Sequence, residues 1–479
     1  MNKNFRPGLR MIADETIKKI IEEALSILKK IGVLVENQEA LRLLKGAGMV
    51  LKENRVLITE DLVRTCLKSA PSTIKIYDRA GNLIMDLADD NVCFVPGSTA
   101  VYFLDSEGEI RKPTTQDYIN LVKLTDFLPN IMAQSTAMIP ADVPDRIADQ
   151  YRLYLSLCYS QKPIVTGTFS KESFEPMKRM LTAVRGSEEE LRRRPLAIFD
   201  ACPSPPLKWS DLTCQALMDC AKSGIPADII SVPLAGAVSP VTLYGALVQH
   251  TAENLSGLVI SQLAMFGAPV IYGGSPAIFD MRDATAPLGA IESLMLDCGY
   301  QQIGKYLGLP THTYMGLSDS KDLDSQMGME AGIGIILAAI CGINVVSGAG
   351  MLGSENCQSL EKLMLDNELC GMALRLISGI SPGDKFETEE ILGECLETGN
   401  FISHAATLRL FREEQYIPES FIDRTGIEAW KSKKHKKGLK KKLREEVGKV
   451  MRSYFPSPLD EDIRSELFKL WMSEASKIK

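Results

Sequence analysis

From position 92 to 347, short apolar runs recur at regular intervals, separated by longer stretches whose apolar residues return every three or four positions. The runs at 131–138, 163–169, 196–201, 228–232, 269–273, 310–316 and 344–347 read as strands. The stretches at 146–159, 172–184, 211–223, 242–266, 290–307 and 326–341 read as helices between them. Strict alternation of the two implies a parallel sheet. A further strand from 92–103 brings the number to eight, and eight such units close into a (β/α)8 TIM barrel. A doubly wound open sheet is the alternative, but no GxGxxG opens a first helix.

The flanks have a different rhythm. Asp14 can cap a helix with Ile17, Ile20, Ile21, Ala24, Leu25, Leu28 and Ile31 on one face, stopped by Gly32. Asn37 and Thr59 can cap two shorter helices, the last stopped by Pro71. Residues 1–75 therefore read as a helical extension, 76–395 as the barrel and 396–479 as a helical C-terminal region. Glu107-Gly108 suits a hairpin, and an amphipathic helix over 358–377 leads to a turn at 379–383.

Composition narrows the class. The 479 residues are 45% hydrophobic and 24% charged with net charge −7, an ordinary globular balance without general attraction for nucleic acid or anionic lipid. The start, MNKNFRPGLRM, has no apolar signal core, and the longest apolar run, 332–346, is too short for a membrane span. A cytoplasmic location is expected. Eleven cysteines without CxxC or Cys/His clusters suggest reduced, buried thiols and no metal site. The basic run KSKKHKKGLKKKLR at 431–444 could dock an acidic partner or nucleic acid, but without interleaved aromatics a solvated helix face explains it better.

Barrel chemistry gathers at the C-terminal ends of the strands. Those ends carry aromatics, hydroxyls and glycines, with Asp200 the one acid and no lysine, so acid–base and imine chemistry lack their usual residues. Along 310–316, alternation sets His312 and Tyr314 on one face, which suits a pocket wall or a strand with a satisfied core histidine. The loops beginning Gly273-Gly274 and Gly348-Ala349-Gly350 allow close approach of a flat or anionic ligand, or merely tight turns. No catalytic residue is assigned.

Several long motifs resemble the trimethylamine methyltransferase family: ALSILKKIGVLVENQEALRLLKGAGM, VLITEDLVRTCLKSAP, IYGGSPAIFDMRDATAPLGAIE and PTHTYMGLSDSKDLDSQMGMEAG. The resemblance covers nearly the whole chain and implies a barrel that moves a methyl group from a methylamine to the cobalt of a corrinoid on a separate small protein. Founding members carry pyrrolysine shortly after the seventh strand. The corresponding position here falls at Met327 or Gly328, both ordinary residues. Members without pyrrolysine are implied to demethylate quaternary amines such as glycine betaine, proline betaine, carnitine or γ-butyrobetaine.

That chemistry fits the residue inventory, because a quaternary ammonium leaves as a neutral amine and needs no general acid. Phe103, Phe169, Tyr272, Phe279 and Tyr314 are the cage candidates for the cation, each with barrel packing as its alternative. His312, Arg282 or a glycine-loop N–H could meet a carboxylate; His404 is a further candidate. Gly273, Gly274, Asp319, Gln326, Gly348 and Gly350 are expected on the loops that a corrinoid approaches. The expected partners are the amine and a corrinoid protein, with no nucleic acid or membrane, in a homo-oligomer. A zinc-assisted methyltransferase or lyase, or a non-catalytic docking subunit, are the alternatives.

Overall fold

A computed structural model describes residues 5–380, 388–433 and 437–477. Eight parallel strands form its centre: β1 (Cys93–Pro96), β2 (Gln134–Ser135), β3 (Ile164–Gly167), β4 (Ala197–Ala201), β5 (Ala227–Ser231), β6 (Val270–Gly274), β7 (His312–Tyr314) and β8 (Val345–Ala349). Continuous pairing runs from β2 to β6 and from β7 through β8 to β1. Two backbone hydrogen bonds close the ring: Tyr272 N–H donates to Pro310 O between β6 and β7, and Met132 N–H to Phe94 O between β1 and β2. The closed sheet is the expected barrel, and closure removes every edge.

A helix follows each strand: α1 (Thr115–Phe127), α2 (Asp145–Tyr159), α3 (Phe174–Arg185), α4 (Asp211–Ser223), α5 (Leu243–Ala264), α6 (Ile291–Tyr306), α7 (Ser325–Cys341) and α8 (Leu360–Ile377). The hydrophobic periods located α2 to α8 to within about a turn of their observed ends, whereas α1 was not among the expected helices. No described helix is long and apolar enough to cross a membrane.

The inner face of the ring has two layers. In the lower one Cys93, Val95, Ala133, Val165, Ile198, Ile271 and Val345 form one apolar cluster. The hairpin Lys75–Tyr77/Leu83–Asp86 stoppers this end, adding Ile74, Ile76, Met85 and Leu87 to the cluster. Two residues further along the strands the same face becomes polar, and this upper layer holds the candidate site.

The N-terminal extension covers α5. The helix Asp14–Lys30 lays Ile17, Ile20, Ile21, Ala24, Leu25 and Leu28 into the core, as its period requires. Ile31 lies past the last turn and is exposed, and Asp14 is the first helical residue rather than its cap. The extension is not purely helical. Short strands Val33–Val35, Val50–Lys52 and Arg55–Leu57 form a sheet completed by Lys208–Trp209 from the barrel. Three-residue strands carry too little alternation to register as a pattern. Covered on its outer side, α5 is buried from Ala246 to Gln262.

At the other end, Leu439–Ser453 packs on α8 and α1 through Leu443, Val447 and Val450. The basic run is largely neutralised: Lys440 pairs with Asp322, Lys442 with Asp423 and Lys437 with Glu445, while Arg444 faces Glu107. Residues 434–436 of that run, and most of the expected 379–383 turn, lie outside the described residues. The helix Glu461–Ala475 stacks Trp471 on Tyr154 of α2 and sets it at a tilt against Tyr151.

Candidate functional site

Strand register fixes which side chains share the barrel interior. His312 pairs with Val345 and Tyr314 with Ser347, while Asp200 pairs with Asp228 and Asp228 with Ile271. Since Ile198, Ile271 and Val345 belong to the inner cluster, Asp200, Asp228, His312, Tyr314 and Ser347 also point inward. The expected pairing of His312 and Tyr314 is observed: their rings meet edge to face at 4.8 Å.

His312 is fully buried and held from both sides. Its Nδ1 lies 3.0 Å from Asp228 Oδ2 and its Nε2 2.9 Å from Ser347 Oγ. Burial alone would lower the imidazole pKa, but the Asp228 carboxylate outweighs it and the net direction is up. Asp228 itself is raised by burial, with His312 opposing. Both ring nitrogens of His312 therefore face protein atoms, which leaves it little capacity for a substrate carboxylate, while Asp228 Oδ1 stays without a hydrogen-bond partner.

Tyr314 opens the second half of the layer. Its hydroxyl donates to Asp200 Oδ2 at 3.3 Å and lies 3.2 Å from Ser98 Oγ in the loop after β1. The Ser98 N–H donates to Glu355 Oε1 at 3.2 Å from the loop after β8. Asp200 is raised to about 7 by burial and then by neighbouring Asp228. Glu355 is raised to about 8 by burial and then by Asp200, with the Ser98 N–H opposing. Burial also pushes up the Cys202 thiol, one inward step beyond Asp200. Cys202 is nonetheless the one solvent-exposed cysteine among the described residues, so these groups line a concavity that solvent enters.

The backbone around this concavity is strained. Thr99, Ser354 and Glu355 all have positive φ, at 62°, 52° and 71°, without being glycine. Such residues cost on the order of 1–3 kcal/mol each and persist where surrounding contacts over-determine them. Those contacts are present. Ser354 Oγ donates to Asp319 Oδ1 at 2.6 Å, and Asp319 also accepts the Leu288 and Gly289 N–H groups, tying together the loops after β6, β7 and β8. Below them, buried Lys362 of α8 donates to Gly316 O at 3.0 Å and to Asp366 Oδ2 at 2.5 Å, and Asp366 accepts the Gly350 N–H.

Other expected site residues lie elsewhere. Tyr272 faces outward, is 1% exposed and donates its hydroxyl to Thr251 of α5. Phe103 belongs to a side strand, Tyr102–Leu104, hairpinned to Ile110–Arg111, with the Arg111 guanidinium over its ring at 5.2 Å. Phe169 stands at the rim, but the buried Arg152 guanidinium covers one face at 4.6 Å. Phe279 sits in the loop after β6, where its N–H donates to Ala235 O. Arg282 is exposed and bound to Asp280. His404 caps the helix Ala405–Glu414 and contacts Glu394 at 3.0 Å. Of the five aromatic candidates, the register sets only Tyr314 on the inner face of the ring.

Protein atoms explain most of the loop glycines. A Cβ on Gly273 would lie 2.2 Å from Asp228 Oδ1, one on Gly274 2.3 Å from His250 Nε2, and one on Gly348 2.3 Å from Met315 O. Gly350 needs its φ of 84° and has Gln358 against it. Asp319 is a loop clamp, while Gln326 is exposed and bonds Glu330. Met327 is buried in the core; a Cβ on Gly328, in the first turn of α7, would meet nothing within 4 Å.

Sequence reasoning missed Asp228, Ser98 and Glu355. Asp228 is the first residue of its expected strand and shares a face with Ile230, but only its register with Ile271 shows that face to be the inner one. Ser98 and Glu355 sit in loops after β1 and β8, which are adjacent only once the barrel closes. Among the described residues no group of three or more His, Cys, Asp or Glu is arranged to hold a metal ion.

The family model described as trimethylamine methyltransferase (MTTB) matches residues 2–473. A trimethylamine methyltransferase MttB of Desulfitobacterium hafniense (strain DSM 10664 / DCB-2) is 31% identical over 463 residues, covering 96% of this chain and 93% of that protein. A glycine betaine methyltransferase of D. hafniense (strain Y51) is 29% identical over 463 residues, covering 96% of each. The crystal structure of a hydroxylamine complex of MtmB shares the fold, with TM-score 0.53 at 10% identity over 98% of this chain and 88% of that one.

Proposed function

The chain belongs to the trimethylamine methyltransferase family, and from that premise we propose that it moves a methyl group from a small quaternary amine to the cobalt of a corrinoid on a separate partner protein. The observation that carries this reading is the polar upper layer, where Tyr314 and the Asp200 and Glu355 carboxyls surround a solvent-entered concavity. Similarity to a glycine betaine methyltransferase supports a quaternary amine. So does an ordinary residue at Met327 or Gly328, where the family resemblance implies pyrrolysine in founding members.

The residues fit the charge changes of the reaction. A quaternary ammonium is a fixed cation until its methyl leaves, and the product amine is neutral. Carboxyls poised at about 7 and 8 can ionise beside the cation and regain a proton once that charge is gone. The buried Asp228–His312–Ser347 set braces the floor beneath Tyr314, and the clamped loops hold the rim open to an acceptor. Orientation and exclusion of water then supply most of the rate.

The test mixes the protein with reduced cobalamin, or a corrinoid partner, and glycine betaine, proline betaine, carnitine, γ-butyrobetaine and choline in turn. The expected result is conversion of Co(I) to methyl-Co(III) with at least one. Silence across the whole panel would overturn the reading.

A further inference from the structure

We infer that Glu355, with Asp200 and Tyr314, forms an anionic subsite that selects quaternary ammoniums carrying no carboxylate of their own. The inference rests on the reading of this concavity as a quaternary-amine site and narrows its substrate class to choline-like cations.

Three independent observations converge on Glu355. First, the loop bearing it is built at a cost: Ser354 and Glu355 are consecutive non-glycine residues with φ of 52° and 71°, and Thr99, beside Ser98, has φ of 62°. The two strained loops meet at the bond from Ser98 N–H to Glu355 Oε1. Strain of this kind aims side chains that an unstrained turn would not. Second, the acids here are only partly spent. Glu355 Oε1 accepts from Ser98, and beside it the buried Asp200 Oδ1 has no hydrogen-bond partner among the described residues, which leaves an acid oxygen for a ligand. Third, Asp200 points to the same place. Its Oδ2 accepts from Tyr314, whose ring supplies an aromatic face beside the two carboxyls.

Charge balance then sets the class. Among the described residues facing this point, the titratable groups are Asp200 and Cys202 of β4 and its following loop, Asp228 of β5, His312 and Tyr314 of β7, and Glu355 after β8. The one basic group among them, His312, is committed to Asp228 and Ser347. Arg282 is turned to solvent beside Asp280, and Arg152 is buried against Phe169. A cation without a carboxylate therefore meets acids that can ionise to balance it. A betaine would bring its own carboxylate against Glu355 and Asp200, where the one basic group among the titratable residues named, His312, already has its partners.

Calorimetric titration without any corrinoid separates this from turnover. Tetramethylammonium and choline are expected to bind the full-length protein at least 10-fold more tightly than glycine betaine. Glu355→Gln should weaken both cations at least 10-fold and change glycine betaine less than 2-fold. Cation affinity should rise between pH 6 and 9 with release of protons, a wild-type measurement that needs no variant to fold. Glycine betaine binding as tightly as choline, or cation affinity unmoved by Glu355→Gln in a folded variant, would overturn the inference. Tight, Glu355-dependent cation binding with no methyl transfer would uphold the subsite and remove the methyltransferase reading. Methyl transfer from a tightly bound betaine would do the reverse.

Discussion

The two layers of the barrel interior are built by the same strands and differ by two residues. Ile198 and Asp200 share β4, Ile271 and Gly273 share β6, and Val345 and Ser347 share β8. The lower member of each pair joins an apolar cluster sealed by the 75–86 hairpin; the upper member faces a polar concavity. The lower layer is satisfied in itself. The upper layer contains buried carboxylate oxygens with no hydrogen-bond partner, Asp200 Oδ1 and Asp228 Oδ1. An interior that tolerates such groups trades stability for chemistry, and the strand period keeps the trade confined to one end.

Substitutions can break this contrast. The largest effect should come from the rim clamp: Lys362→Met leaves Asp366 buried without its cation and should cost about 3–5 kcal/mol in chemical denaturation. In the lower layer, Ile271→Ala should cost about 2–5 kcal/mol by opening a cavity in the apolar plug. Asp200→Asn in the upper layer should change stability by about 1 kcal/mol or less while lowering cobalt methylation 10-fold or more. Equal stability losses from the two layers would contradict the division.

A smaller, diagnostic effect is the pH dependence of stability. Asp200 at about 7 and Glu355 at about 8 hold protons that the unfolded chain releases near its ordinary carboxyl values of 3.8 and 4.5. His312 is also raised above its unfolded value of 6.5. Between those limits the native state binds more protons than the unfolded one, so stability falls as pH rises from about 4 to 8. The contribution is fullest at the acid end and lost through the folded values. Denaturation midpoints in that range should decline, and Asp200→Asn with Glu355→Gln should flatten the decline.

The barrel was legible because alternating strand and helix periods span many residues and each reinforces the next. The 1–75 extension was legible where Asp14–Lys30 is long and amphipathic, and not where its strands run to three residues. For the site, alternation put His312 and Tyr314 on one face, and the structure shows that face to be the inner one. The same rule cannot say which face of β6 points inward, so Tyr272 was expected in the site although it packs against α5. Phe103 followed a strand that ends at Pro96 and resumes outside the ring. Glu355 and Ser98 lie 257 positions apart and meet only through closure of β8 on β1, which no local pattern encodes.

The most direct test of the account is cobalt methylation by the Asp200→Asn/Glu355→Gln double variant, followed as formation of methyl-Co(III) from whichever quaternary amine the wild type accepts, alongside its denaturation midpoint. The account predicts a folded protein, at neutral pH as stable as wild type or more so, with methyl transfer lost. A folded double variant that methylates the corrinoid at the wild-type rate would contradict it.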